Sequence, residues 1–315
     1  MKSIWFIGAG ACLLAACSQA ADPAPEPVAD TPPEVVEEGP ATGSLEWAAA
    51  GAWRSDDEKA RDIWRNPVET MIFFEIANNE TVVEIWPGGG WYSKIIAPFL
   101  KNGGGKLIGA GFDPTAYEGA RRERTEQLMS DYKAAFESDP DTFGTVELSS
   151  FSHLPGAFAP PGSVDTVLTF RNVHNWMAQD YAAKFFDDAF AALRPGGILG
   201  VVEHRLPSSM EQDPRARSGY VHEDFVKALA AASGFEFVAA SEVNANPADT
   251  ADHPFGVWTL PPSSRDSDFE GNTIEGFDPA PYLAIGESDR MTLKFRKPRP
   301  DDASTTDETE LEAVE

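Results

Sequence analysis

The sequence is poor in cysteine, in positive charge and in long apolar runs. Its two cysteines, Cys12 and Cys17, both lie near the start. The rest of the chain has no thiol for a disulfide, a thiolate metal site or a nucleophile. Lysine and arginine number 25 against 51 acids, for a net charge of −26. Residues 18–43 carry six acids and no bases; residues 301–315 carry seven acids and no bases. About −14 is left for residues 44–300 once those segments and Lys2 are set aside. A surface this acidic repels nucleic-acid phosphates and anionic headgroups, so neither is expected as a partner. Solubility or a salty habitat accounts for the charge, with a cationic substrate as the alternative. The apolar run Ile4–Ala16 is too short to span a bilayer.

That run follows Met1-Lys2-Ser3 and reads as a signal peptide over residues 1–16. It ends in Leu14-Ala15-Ala16-Cys17, which resembles the bacterial lipobox. The resemblance implies cleavage before Cys17 and acylation of that residue, enough for stable anchoring. A plain secretory peptide is the alternative. Ser18, rather than Asp, follows the cysteine. The expected location is therefore extracytoplasmic, on the periplasmic face of the outer membrane, with the lipid at Cys17 as the membrane contact. Residues 17–43, rich in Pro, Ala and Glu, read as a disordered tether, and residues 301–315 as a disordered acidic tail.

Residues 44–300 are long enough for a substantial core, and 20 Phe and 8 Trp supply the apolar bulk for one. Ser55-Asp56-Asp57-Glu58 places a cap and acids at a helix start, and Asn66-Pro67 interrupts the helical preface. Strands are predicted at 81–85, 106–110, 145–148, 164–170, 198–203, 235–243 and 291–295. Helices are predicted at 92–100, 117–137, 181–193 and 223–232, the third from apolar residues at helical spacing. Arg194-Pro195-Gly196-Gly197 is read as a turn. Alternating strands and helices imply a parallel sheet. The last two strands have no helical pattern between them and suggest an antiparallel hairpin at one edge. Residues 244–289 form an aromatic-containing insertion between those strands, read as a cover over the sheet edge, with an active-site lid as the alternative.

The most informative stretch is Thr81-Val82-Val83-Glu84-Ile85-Trp86-Pro87-Gly88-Gly89-Gly90-Trp91-Tyr92-Ser93. A β-branched run ends in an acid, then a glycine cluster, then a helix-compatible segment. Such a turn lets a ligand approach the backbone and offers free N–H groups at the helix start.

Taken with Leu193-Arg194-Pro195-Gly196-Gly197, Arg61-Asp62, Arg65-Asn66-Pro67, Arg171-Asn172-Val173-His174-Asn175-Trp176 and Tyr220-Val221-His222-Glu223, this stretch resembles the class I S-adenosylmethionine (SAM)-dependent methyltransferases. Within them it resembles a bacterial group of predicted methyltransferases, often exported. The resemblance implies a Rossmann-like α/β fold of seven strands, mostly parallel, with SAM as cofactor and a small molecule as methyl acceptor. It implies that Glu84 steadies the glycine turn and that Gly88, Gly89 and Gly90 carry the cofactor. The family's ribose-binding acid falls by spacing on Gly111, with Asp113 the nearest acid. Its adenine-binding acid is absent; Ser150 and Phe151 stand in that region, one as acceptor, the other as stacking surface. Trp86 sits where a first glycine is common.

His174, just past the fourth strand at the ligand edge, is the first candidate base, since an imidazole can accept a proton in general base catalysis. Fixing its own loop is the alternative role. Arg171 and Asn172 are candidates to bind a carboxylate or orient the methionine moiety, although Arg171 can equally pair with Glu203 or Asp165. His222 and Tyr220 complete the catalytic candidates, in a second cluster with Glu203, His204 and Arg205. No metal site is expected from His174, His204, His222 and Glu203, because their spacing matches no helical metal motif. Two other readings stand beside the methyltransferase: a membrane-anchored extracytoplasmic binding protein that keeps the fold without transfer, and a different enzyme of that fold using the His/Arg/Glu cluster.

If the lipobox reading holds, Cys17→Ala releases the protein to the soluble fraction and removes labelled fatty acid. Equal labelling of both forms would contradict it.

Overall fold

The computed structural model describes residues Gly39–Asp301. The expected signal peptide, Cys17, most of the tether and all but the first residue of the acidic tail lie outside the described residues.

Seven strands form one sheet: β1 (Thr81–Ile85), β2 (Lys106–Phe112), β3 (Val146–Phe151), β4 (Val164–Phe170), β5 (Leu193–His204), β6 (Glu236–Ser241) and β7 (Arg290–Arg296). Their spatial order is β3-β2-β1-β4-β5-β7-β6. The first five run parallel, and β7 inserts antiparallel between β5 and β6. This is the Rossmann-like arrangement the resemblance implied, including the antiparallel edge pair. The order reverses between β1 and β4, so the crevice of the sheet opens at their carboxyl ends.

The sequence accounts for this layout. Strands β1 and β4 lie mid-sheet with helices on both faces, and both are runs of β-branched and apolar residues. Alternate residues enter opposite layers. Val83, Ile85 and Val167 join Trp176, Phe185 and Phe186 on one face. Val82 and Leu168 join Met71, Phe74 and Leu100 on the other. Edge strands β3 and β6 are largely exposed. The helical preface starts as expected: Ser55 Oγ accepts from the Glu58 amide, and the Glu58 carboxylate accepts from the Ser55 amide.

Three expectations change. The Arg194–Gly197 turn is drawn into β5, because Gly196 and Gly197 exchange backbone hydrogen bonds with Lys297. Strand β3 runs on to Phe151, paired residue for residue with β2. The insertion is not free of helix: Gly256–Thr259 forms a 3-10 turn, and Ala280–Ile285 a short α-helix with proline in its first turn. Among the described residues, no helix is long and apolar enough to cross a membrane.

Phe185 is fully buried, 4.2 Å from the Trp176 ring and tilted 32° to it. Phe185→Ala should lower unfolding stability by about 3–5 kcal/mol in urea titrations. A loss below about 1 kcal/mol would show that the layer repacks.

Candidate functional site

The glycine turn follows β1 directly. Gly88 and Gly90 adopt left-handed backbone at φ +59° and +80°. A side chain built at Gly88 or Gly89 meets nothing within 4 Å, so the turn faces open space. Glu84, beneath it, is buried and accepts a hydrogen bond from Ser93 Oγ at 2.5 Å; Tyr132 donates in turn to Ser93. Burial pushes the Glu84 carboxyl up to about 7 against the opposing pull of Ser93 and Arg171.

Trp86, where a first glycine is common in the resembled family, is left-handed at φ +51°. A bulky residue holds that conformation only when its surroundings over-determine it. Here the indole Nε1 donates to the Phe151 carbonyl at 2.9 Å, and the ring lies 4.3 Å from Phe112 and 5.6 Å from Trp176. Phe151 is 2% exposed and belongs to this aromatic core, so it is not placed to stack on a ligand. Ser150 is exposed on the edge strand. A side chain at Gly111 would meet Met129 Sδ at 2.1 Å, so Met129 fills the space an acid there would need. Asp113 lies just past β2, and its carboxylate accepts from the Thr115 amide and hydroxyl and from Ser152 Oγ. Beside it, Phe112, Tyr117, Arg121 and Leu128 line a cavity of about 310 Å³.

A second cavity, of about 270 Å³, opens past β4 and β5. Arg65, Arg171, His174, His204 and Arg290 line it, with Trp258, Pro261 and Pro262 of the insertion as the facing wall. The insertion thus contributes a wall of the cavity, while edge strand β6 stays largely exposed. Arg171, the first residue after β4, is left-handed at φ +61° and donates its amide to the Val202 carbonyl at 2.7 Å. Its guanidinium lies 3.8 Å from Glu287; Glu203 pairs with His174, and Asp165 with Arg194. Asn172 donates to the Ile85 carbonyl and to Thr169 Oγ1, locking β4 to β1 rather than facing a ligand.

His174 Nδ1 lies 2.9 Å from Glu203 Oε1. Glu203 is fully buried and also accepts from the amides of His174 and His204. Held through Nδ1, the His174 ring has Nε2 left to carry or accept a proton. His204 is anchored at Nδ1 by Ser288 Oγ, 2.6 Å away, and its ring centre is 5.3 Å from that of His174. Burial, then the nearby His174 and Arg290, push the His204 pKa well below its usual value.

The other candidates stand apart. His222 Nε2 lies 3.2 Å from the Pro207 carbonyl, in a different depression. Tyr220 is buried and donates to Asp249, which His253 also contacts at 2.7 Å. This ties Tyr220 to the insertion. His174, Glu203 and His204 do converge, with possible ligand atoms within 4.8 Å of one another, and His222 is outside the group. The Glu203 oxygens already accept three N–H groups, and three arginines line the adjoining cavity, which disfavours a cation. The same arginines disfavour a cationic substrate. Sequence reading missed Arg65 and Arg290 as cavity residues and Glu287 as their partner. Arg61-Asp62 and Arg65-Asn66-Pro67 carried part of the signal, but no spacing rule brings residues 65, 171 and 290 together.

No protein-family profile and no curated protein sequence matches the chain. Solved structures do. The [4+2]-cyclase SpnF is 17% identical, with a TM-score of 0.50 over 79% of this chain and 85% of that one. A SAM-dependent methyltransferase from Aquifex aeolicus is 17% identical, covering 59% of this chain and 87% of its own, with a TM-score of 0.43. The SAM-dependent methyltransferase SibL is 10% identical, covering 76% and 56%, with a TM-score of 0.47. At 17% identity the likeness to SpnF shows the fold alone, a Rossmann-like mixed sheet.

The raised Glu84 pKa makes stability depend on pH. A carboxyl titrating near 7 folded and 4.5 unfolded favours the native state below 4.5, and that contribution is lost as pH rises through 7. Relative to Glu84→Gln, the native chain should lose on the order of 3 kcal/mol between pH 4.5 and pH 8. Parallel stability profiles would place the Glu84 pKa near its ordinary value.

Proposed function

We propose that the chain is a SAM-dependent methyltransferase acting on a small molecule seated beside the Gly88–Gly90 turn. One observation carries this reading: an open glycine turn and a charged cavity share the carboxyl edge of the parallel sheet, next to the reversal in strand order. Arg171 belongs to both, since it lines the cavity and acts electrostatically on Glu84.

Gly88–Gly90 would hold the methionine half of SAM, with Glu84 and Ser93 supporting the turn from below. For the nucleoside half, Asp113 is the nearest carboxylate, and the Phe112–Tyr117 cavity offers an aromatic surface. SAM, when bound, supplies an electrophilic methyl group on a sulfonium. What this chain adds is alignment and a base. Glu203 orients His174, and the free Nε2 takes a proton from an oxygen or nitrogen acceptor. Glu203 is a positioning residue here; His174 is the catalytic one. His222 and Tyr220 are better read as anchors of the loops that carry them. Placement outside the cytoplasm on a lipid at Cys17 belongs to the same proposal and rests on the sequence alone.

Calorimetric titration of SAM into the full chain tests the cofactor. Gly89→Val is the informative variant, because its backbone is unstrained and its side chain enters open space. It should abolish binding while circular dichroism stays native-like. His174→Ala should then slow turnover by roughly 10²–10⁴-fold with SAM affinity little changed. If the native chain binds no SAM, the binding-protein reading replaces this one.

A further inference from the structure

The charge balance of the second cavity is unusual for so acidic a protein. Four guanidinium groups surround one carboxylate. Glu287 is 2.7 Å from Arg61 Nε, 3.0 Å from Arg65 Nε and 3.8 Å from Arg171 Nη1, and it pairs closely with Arg290 Nη2. Arg65 and Arg290 are 2% and 3% exposed, as buried as core residues. Two other acids lie near the cavity lining: Glu203 is already committed to His174 and two backbone amides, and Glu84, beneath the glycine turn, accepts from Ser93 and acts on Arg171. The cluster therefore holds buried positive charge in excess of its own carboxylate. The Arg290 Nε is buried and has no hydrogen-bond partner. An orphaned buried donor of this kind is rare and costly unless a ligand completes it.

We infer that the cavity lined by Arg65, Arg171 and Arg290 is an oxyanion site that receives a carboxylate or phosphate group of the methyl acceptor. Guanidinium groups match both anions through paired N–H donors and remain charged where an ammonium would not. The Trp258 face, with Pro261 and Pro262, supplies an apolar wall for the carbon skeleton. The imidazole of His174 lies in the same lining, so an anion on the arginines holds the rest of the molecule beside the base. Burial, followed by repulsion from Arg171, pushes the Arg65 pKa down to about 8. Burial and Arg290 push that of Arg171 down to about 10. In both, burial is the larger cause and the neighbouring guanidinium the smaller, and a bound anion opposes each by favouring the charged form.

That the anion belongs to the methyl acceptor rests on the methyltransferase reading; the oxyanion site itself does not. The test is calorimetric titration of the full chain with inorganic phosphate and, separately, with malonate, in chloride at fixed ionic strength. SAM is titrated into the same preparation. At least one of the two anions should bind, and Arg171→Asn should weaken it tenfold or more. Asn tolerates the left-handed backbone at this position, and the ion pair of Arg171 with Glu287 is a long one, so the variant should fold. Arg122→Gln, the same charge change on an exposed helix, should leave anion affinity unchanged. Absence of phosphate and malonate binding to the native chain, or equal affinity in Arg171→Asn, overturns the inference. Anion binding without SAM binding keeps this site and removes the methyltransferase reading; SAM binding without anion binding does the reverse.

Discussion

The carboxylate of Glu287 is the point on which the site depends. It sits at the end of the insertion, three residues before Arg290 on β7, and faces arginines from two other regions of the chain. Arg61 and Arg65 come from the helical preface and Arg171 from the residue after β4. Burial raises the Glu287 pKa, but Arg290, Arg65 and Arg171 outweigh it and hold the carboxyl down to about 2. A buried anion of this kind is tolerable only because its partners are close and numerous. Remove it, and the guanidinium groups lose the charge that keeps them together.

Secondary bonds spread that constraint. Asn246 donates to the backbone carbonyls of Ile285 and Glu287, and Arg290 donates to the Trp64 carbonyl. Arg54 and Arg65 lie over the ring of Trp91, within the glycine motif itself, at 4.9 and 4.7 Å. Tyr92, next in sequence, stacks on Phe170 at 3.7 Å just before Arg171. The turn that would carry a cofactor and the cavity that would carry an acceptor are thus braced by shared aromatic and guanidinium contacts. Left-handed backbone at Trp86, immediately after β1, is held by its packing on Phe112 and Trp176, and that at Arg171, immediately after β4, by its amide bond to Val202.

Much of this architecture was legible in the residues. β-branched runs and helical periodicity located all seven strands and the major helices, because local patterning reports burial directly. The acid-glycine stretch identified the turn, since few side-chain-free sequences follow a buried strand for other reasons. Legibility ended where the answer depended on long-range contacts. Phe151 looked like a stacking surface, but pairing of β3 with β2 carries it into the core beside Trp86. Gly111 looked like a vacant acid position, yet Met129 from the next helix occupies its space. Arg65 and Arg290, 225 positions apart in the numbering, meet only because β7 inserts beside β5. The interrupted helical preface signalled a feature but not its partner.

The direct measurement of this account is the stability of Glu287→Gln by chemical denaturation in chloride and in phosphate at matched ionic strength. Removing the carboxylate leaves buried guanidinium groups uncompensated, so stability in chloride should fall by about 3–5 kcal/mol. Phosphate, entering among the arginines, should restore more stability to the variant than it adds to the native chain. An unchanged stability in chloride, or equal effects of phosphate on both proteins, would contradict the claim that this carboxylate organises an anion-binding site.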